Sequence, residues 1–197
     1  ETLYMLGISE GEDSWTFDNH LRLYDEDNLG YAGVADVNSP WGYQIAIEDG
    51  NWGDVYKLGE GDANAGTLAF GTENNIPAPD GGLYFFDVSL KALTYKLTAL
   101  GSEIYVAGLN KLEDETWPFE PLPAATTAGV FSGSITITQP SAWGFKIYLF
   151  DNNWDYVYGG NGGKLYYKGN GITDDATLAP GTYTLTVDLI HATYTIE

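Results

Sequence analysis

The sequence predicts an all-β chain: two tandem β-sandwich domains, residues 1–100 and 101–197. Three observations carry this. The 197 residues are about twice the ~100 residues that one small sandwich needs. The sequence repeats itself once along its length. Within each copy, short alternating segments follow one another between Gly-rich turns, and no segment holds a helical period.

The repeat is read from rare residues. Trp15-Thr16-Phe17 echoes Trp117-Pro118-Phe119, and Trp41-Gly42-Tyr43-Gln44-Ile45 echoes Trp143-Gly144-Phe145-Lys146-Ile147. Asp49-Gly50-Asn51-Trp52 echoes Asp151-Asn152-Asn153-Trp154, and Gly82-Leu83-Tyr84 echoes Gly181-Thr182-Tyr183. The offset stays between 99 (183 − 84) and 102 (154 − 52). That period is too long for a solenoid repeat or a propeller blade, so each copy is one whole domain. The boundary falls near Leu100 and Gly101 with almost no linker.

The strands follow from alternation. Tyr183, Leu185, Val187 and Leu189 share one face of a half-buried strand, with Thr182, Thr184, Thr186 and Asp188 on the other. Tyr84, Phe86, Val88 and Leu90 repeat the pattern. Ser134 to Thr138 and Phe145 to Phe150 are further strands. Turn-rich stretches at residues 74–82 and 159–163 separate them.

Charge narrows the ligand classes. A net charge of −20 with eight Lys plus Arg supplies no basic face for phosphates, so nucleic acid is not an expected partner. Neutral ligands such as uncharged sugars fit better than anionic ones. There is no cysteine, hence no disulfide or thiolate metal site, and no cofactor is expected. No apolar run is long enough to span a membrane. The chain starts at Glu1 rather than Met, which fits a processed or truncated product.

Aromatic residues make up 15% of the chain, a surplus that points to ring surfaces for binding. On one strand, Trp154, Tyr156 and Tyr158 would share a face, matched in the first copy by Trp52, Asp54 and Tyr56. An unpaired carboxylate in a packed core costs several kcal/mol, of order 3–5, so the Asp54 face is expected to be solvated and its rings exposed. Exposed rings stack on the C–H face of a pyranose. In Lys164-Leu165-Tyr166-Tyr167-Lys168, Lys164, Tyr166 and Lys168 share the outer face, and ammonium groups donate hydrogen bonds to sugar hydroxyls. The first copy has Thr67, Ala69 and Gly71 there, so the second copy is expected to bind more strongly. Trp41 and Trp143, each before a Gly, and Trp15 and Trp117, in loops, are read as packing residues.

The run from Pro180 to Leu189, followed by Ala192-Thr193-Tyr194-Thr195-Ile196, resembles the closing two strands of SusE and SusF domains, surface glycan-binding lipoproteins of Bacteroidetes starch-utilisation systems. Gly144-Phe145-Lys146-Ile147, Asn153-Trp154 and Asn170-Gly171-Ile172 fit that family's order, and the resemblance spans both copies. It implies immunoglobulin-like domains held at the outer-membrane surface by a lipid on a segment absent from this chain. It also implies α-glucan binding without hydrolysis, and a SusC/SusD-like uptake complex as a partner. The implied contacts are Trp154, Tyr156 and Tyr158 with Lys164, Lys168 and Asn170, and in the first copy Trp52, Tyr56 and Lys57.

Three other readings compete. Glycoside hydrolysis needs two carboxylates flanking a bond, and 28 acidic residues offer arbitrary pairs. His20 and His191 are not repeated and form no catalytic constellation. A structural or adhesion role would use the aromatic faces for packing. Calcium has hard oxygen donors in Asp25-Glu26-Asp27-Asn28 and Asp151-Asn152-Asn153, but neither matches an EF-hand loop, and no metal site is assigned.

Overall fold

The computed structural model describes residues 1–9, 15–173 and 179–197. Every named element is a strand, so the all-β reading holds. The strands gather into two units, Glu1–Ala99 and Leu100–Glu197.

The first unit contains β1 (Thr2–Leu6), β2 (His20–Asp25), β3 (Gly30–Val37), β4 (Gln44–Ala46), β5 (Val55–Gly61), β6 (Ala65–Phe70), β7 (Gly82–Ser89) and β8 (Thr94–Ala99). These pair in the order β1-β2-β3-β7-β8-β6-β5-β4 and close on themselves, because β1 pairs with both β2 and β4. An immunoglobulin-like sandwich was expected to keep two separate sheets; here the hydrogen bonding runs right round as a barrel. Alternation in sequence could not separate the two, since both architectures bury one face of each strand and expose the other.

The second unit contains β9 (Glu103–Ala107), β10 (Glu120–Pro123), β11 (Val130–Ile137), β12 (Lys146–Tyr148), β13 (Val157–Asn161), β14 (Lys164–Tyr167), β15 (Gly181–Asp188) and β16 (Thr193–Ile196). Its order, β10-β9-β12-β13-β14-β16-β15-β11, is the first unit's order opened between β10 and β11. Across that seam an isolated bridge joins Ala124 and Phe131, and Ala125 N donates to Val130 O at 2.8 Å.

Each unit buries its own inward-facing residues. In the first, Leu3, Met5, Leu21, Ile45, Phe86 and Val88 belong to one core cluster. In the second, Ile104, Val106, Ile147, Leu185 and Val187 are fully buried. Burial of such side chains contributes about 1.5–3 kcal/mol each.

Candidate functional site

The second unit carries an aromatic depression on the outward face of the β9–β12 pair. Period-two alternation sends Val106 and Ile147 inward, both 0% exposed. It therefore sends Ala107 and Lys146, which are in register, outward. The small Ala107 leaves space beside the lysine. Next along the same face Tyr148 is covered by two rings: Phe119 at 4.5 Å between centroids and Trp154 at 5.2 Å. Phe119 and Trp154 also meet edge to face at 5.0 Å. Burial pushes the Tyr148 phenol above its ordinary pKa.

A tight turn places the remaining wall. Trp143 N donates to Ser141 Oγ at 3.1 Å and Gly144 N to Ser141 O at 3.0 Å. Gly144 has φ +80°, and a Cβ there would collide with Ile172 O. Only glycine fits that left-handed, close-packed position. Phe145 N then donates to Ile172 O at 3.2 Å, which fixes the turn to the neighbouring loop. The Trp143 indole is left standing in solvent, 86% exposed. Trp117, Trp143, Trp154, Tyr148, Lys146 and Ser141 together line a cavity of about 160 Å³. Among the described residues, Lys146 enters no ion pair. A second depression shares Trp117, Ser141 and Trp143 and adds Gln139 and the Lys111–Glu115 ion pair.

The first unit repeats the frame with different fittings. Trp41 N lies 3.4 Å from Ser39 Oγ, Gly42 has φ +80°, and Trp41 is 78% exposed. Phe17 packs edge to face with Tyr4 at 5.7 Å and with Trp52 at 5.2 Å. Where the second unit has Lys146 and Tyr148, the first has Gln44 and buried Ala46. Gln44 Nε2 is tied to Asn75 Oδ1 at 2.8 Å.

The residues singled out from the sequence scatter. Trp154 and Trp52 are 58% and 51% exposed but lie in bends, since β13 begins at Val157 and β5 at Val55. Trp154, Tyr156 and Tyr158 therefore do not share a strand face. Tyr156 is half-buried and packs against Phe150 at 5.0 Å. Tyr158 corrects the reading of an exposed platform most clearly: it is 3% exposed, its ring 5.4 Å from that of Tyr167. Tyr56 is likewise half-buried, packed on the core and on Phe70. Lys57 is half-buried opposite Ala69.

Lys164 is exposed and pairs with Asn161 at the turn end of the β13–β14 hairpin, the length of β13 away from Trp154. Lys168 does not share Lys164's face either. Its backbone turns left-handed after β14, φ 56°, and its Nζ lies 5.5 Å from the centre of the Tyr167 ring. Asn170 is exposed, and its carbonyl accepts Gly160 N at 2.9 Å.

Trp41 and Trp143, read from the sequence as packing residues, stand exposed at 78% and 86%; Trp117, read the same way, and Lys146, not singled out, line the same cavity as Trp143. The Trp-Gly pair was the available signal, because a glycine held at positive φ turns the preceding side chain out of the packed layer. His20 Nε2 lies 2.9 Å from Phe17 O, and His191 Nδ1 lies 2.7 Å from Asp188 Oδ2. Asp25 accepts from Asn28 N and Nδ2, and Asp151 from Asn152 Nδ2. Among the described residues no group of three or more His, Cys, Asp or Glu is placed to hold a metal ion, and no helix is long and apolar enough to cross a membrane.

Among solved structures, the chain is similar to SusF from Bacteroides thetaiotaomicron at 18% identity and a TM-score of 0.37, over 99% of this chain and 48% of that one. The chain thus spans about half the length of that relative. No curated protein matches the sequence. Residues 1–99, half of the chain, match the family described as "Domain of unknown function (DUF8037)", and the protein belongs to that family.

Proposed function

We propose that this protein binds a neutral polysaccharide, an α-glucan by preference, without cleaving it, and that the Trp117–Trp143–Trp154 depression is its principal site. The observation that carries the reading is Trp143: a large ring 86% exposed yet held by a turn that only glycine can make. An exposed indole without a partner leaves apolar area in water, which a sugar's C–H face removes from it. Lys146 and Ser141 supply polar partners beside the rings, as a ligand rich in hydroxyls requires.

On this reading the two units are tandem copies of one immunoglobulin-like domain, residues 1–100 and 101–197, with the sheets joined at their edges. The shared strand order supports it. The first copy, with Gln44 held by Asn75 and no tyrosine at Ala46, is the weaker site. The SusE/SusF resemblance suggests Trp52, Tyr56 and Lys57 in the first copy and Trp154, Tyr156, Tyr158, Lys164, Lys168 and Asn170 in the second; buried Tyr158 and Lys164, at the far end of its hairpin, are not among the proposed contacts. Of the suggested residues, Trp154 lines the depression together with Trp143. The same resemblance supports a place at the outer-membrane surface, on a lipid anchor carried by a further segment, beside a SusC/SusD-like uptake complex.

The test is affinity electrophoresis in gels containing starch, with other neutral polysaccharides alongside, for the wild type, Trp143→Ala and Trp154→Ala. Retardation of the wild type that both variants lose is expected. Absence of retardation in every glycan, with all three proteins folded, refutes glycan binding and leaves a structural or adhesion role.

A further inference from the structure

The two units differ at one end of their strand rings. In the second unit that end is stoppered. Leu149, Leu189 and Tyr158 are 1%, 0% and 3% exposed, and Phe150 packs edge to face on Tyr156 at 5.0 Å.

The first unit has the same frame without the stopper. Tyr56 pairs with Ile45 as Tyr158 pairs with Ile147. Leu90 N donates to Leu29 O as Leu189 N donates to Gly129 O. Here Ile47, which stands where the second unit has Leu149, is 43% exposed, and Tyr56 and Leu90 are only half-buried. Glu48 and Asp54 occupy the places of Phe150 and Tyr156. Asn51 Nδ2 donates to both carboxylates, at 3.0 Å each, so a polar clasp replaces the aromatic pair.

Beside the clasp lies a cavity of about 650 Å³, within the ~300–1,000 Å³ of small-molecule sites. Tyr4, Tyr31, Tyr56, Glu1, Glu48 and Asp49 are among the residues that line it, and no Lys, Arg or His is. The Tyr31 hydroxyl, its pKa raised by burial, donates to Glu1 Oε2 at 3.2 Å.

We propose that this open end is a second binding site, for a small organic cation with an apolar body: an aryl or alkyl ammonium. Tyrosine faces and carboxylates both attract positive charge, while Ile47 and Leu90 offer apolar area to the ligand's body. An anion meets three carboxylates and a chain of net charge −20. A sugar meets no tryptophan platform among the lining residues. The site is in the first unit and shares no residue with the Trp143 depression, so either reading can fail alone.

The test is a 1H–15N NMR titration of the full chain with benzyltrimethylammonium, with benzyl alcohol as the neutral counterpart. Saturable shifts are expected at residues 1–4, 31, 47–49, 56 and 90. Glu48→Gln with Asp49→Asn should weaken binding roughly three- to tenfold. Glu48→Phe with Asp54→Tyr, which rebuilds the second unit's stopper, should abolish it. If that pair fails to fold, Ile47→Trp, which fills the mouth from one exposed position, serves in its place. Shifts that do not saturate overturn the proposal. So does equal affinity for benzyl alcohol, or full binding by a folded, stoppered variant.

Discussion

Trp154 meets Tyr148 edge to face, ring centroids 5.2 Å apart at 75°. A ring from the bend before β13 thereby locks onto a strand residue of β12. Edge-to-face pairs of this kind contribute about 0.5–1.5 kcal/mol beyond area burial. The contact also fixes the attitude of the half-exposed indole. One wall of the depression is thus preorganised by packing, and the other, Trp143, by a backbone turn.

Trp143→Ala should separate binding from stability. The indole is 86% exposed, so urea unfolding should shift by no more than about 0.5 kcal/mol. Affinity for starch in gel retardation should fall roughly tenfold or more, the loss typical of a central ring anchor.

Gly144→Ala should do the reverse. Alanine in the left-handed region carries a backbone cost of about 1–3 kcal/mol, and its Cβ would collide with Ile172 O. Thermal unfolding of the second unit should move down, and binding should fall with it because Trp143 loses its turn. Ala107→Gly, on the floor of the same depression, serves as the control and should keep the Trp143 turn.

Tyr158→Ala and Tyr156→Ala discriminate core from surface. Tyr158 is 3% exposed, and removing a buried aromatic ring costs about 3–5 kcal/mol. Tyr156 is only half-buried against Phe150 and should cost clearly less. Denaturant midpoints of the two variants make the comparison. Equal losses would place both rings in the same environment.

Lys146→Ala and Lys164→Ala compare two lysines in the same unit. Lys146 lines the tryptophan cavity, whereas Lys164 sits at the hairpin end opposite Asn161. Retardation should weaken for Lys146→Ala and stay at the wild-type level for Lys164→Ala. The opposite ranking would move the site to the β13–β14 hairpin.

The β character was legible because period-two patterning is local. The strand from Gly181 to Asp188 buries Leu185 and Val187 completely, as its alternation requires. The Trp154–Tyr156–Tyr158 face was misread for a local reason too. Asn153 Oδ1 accepts Asp155 N at 2.9 Å, an Asx-type turn that delays β13 until Val157. A three-residue error in the strand's start (157 − 154) leaves one ring in water and sends another into the core.

The sequence by itself determined the all-β composition, the paired Trp-Gly motifs, the acidity and the absence of cysteine chemistry, since each is written in residue identity and spacing. The tertiary structure alone decided which rings meet water. That depends on β1 pairing with β4 and β9 with β12, and on the carbonyls of Ile76 and Ile172 coming so close to Gly42 and Gly144 that no side chain fits. Such long-range approaches leave no local period in the sequence, so Trp143 reads as a packing residue until the chain around it is folded.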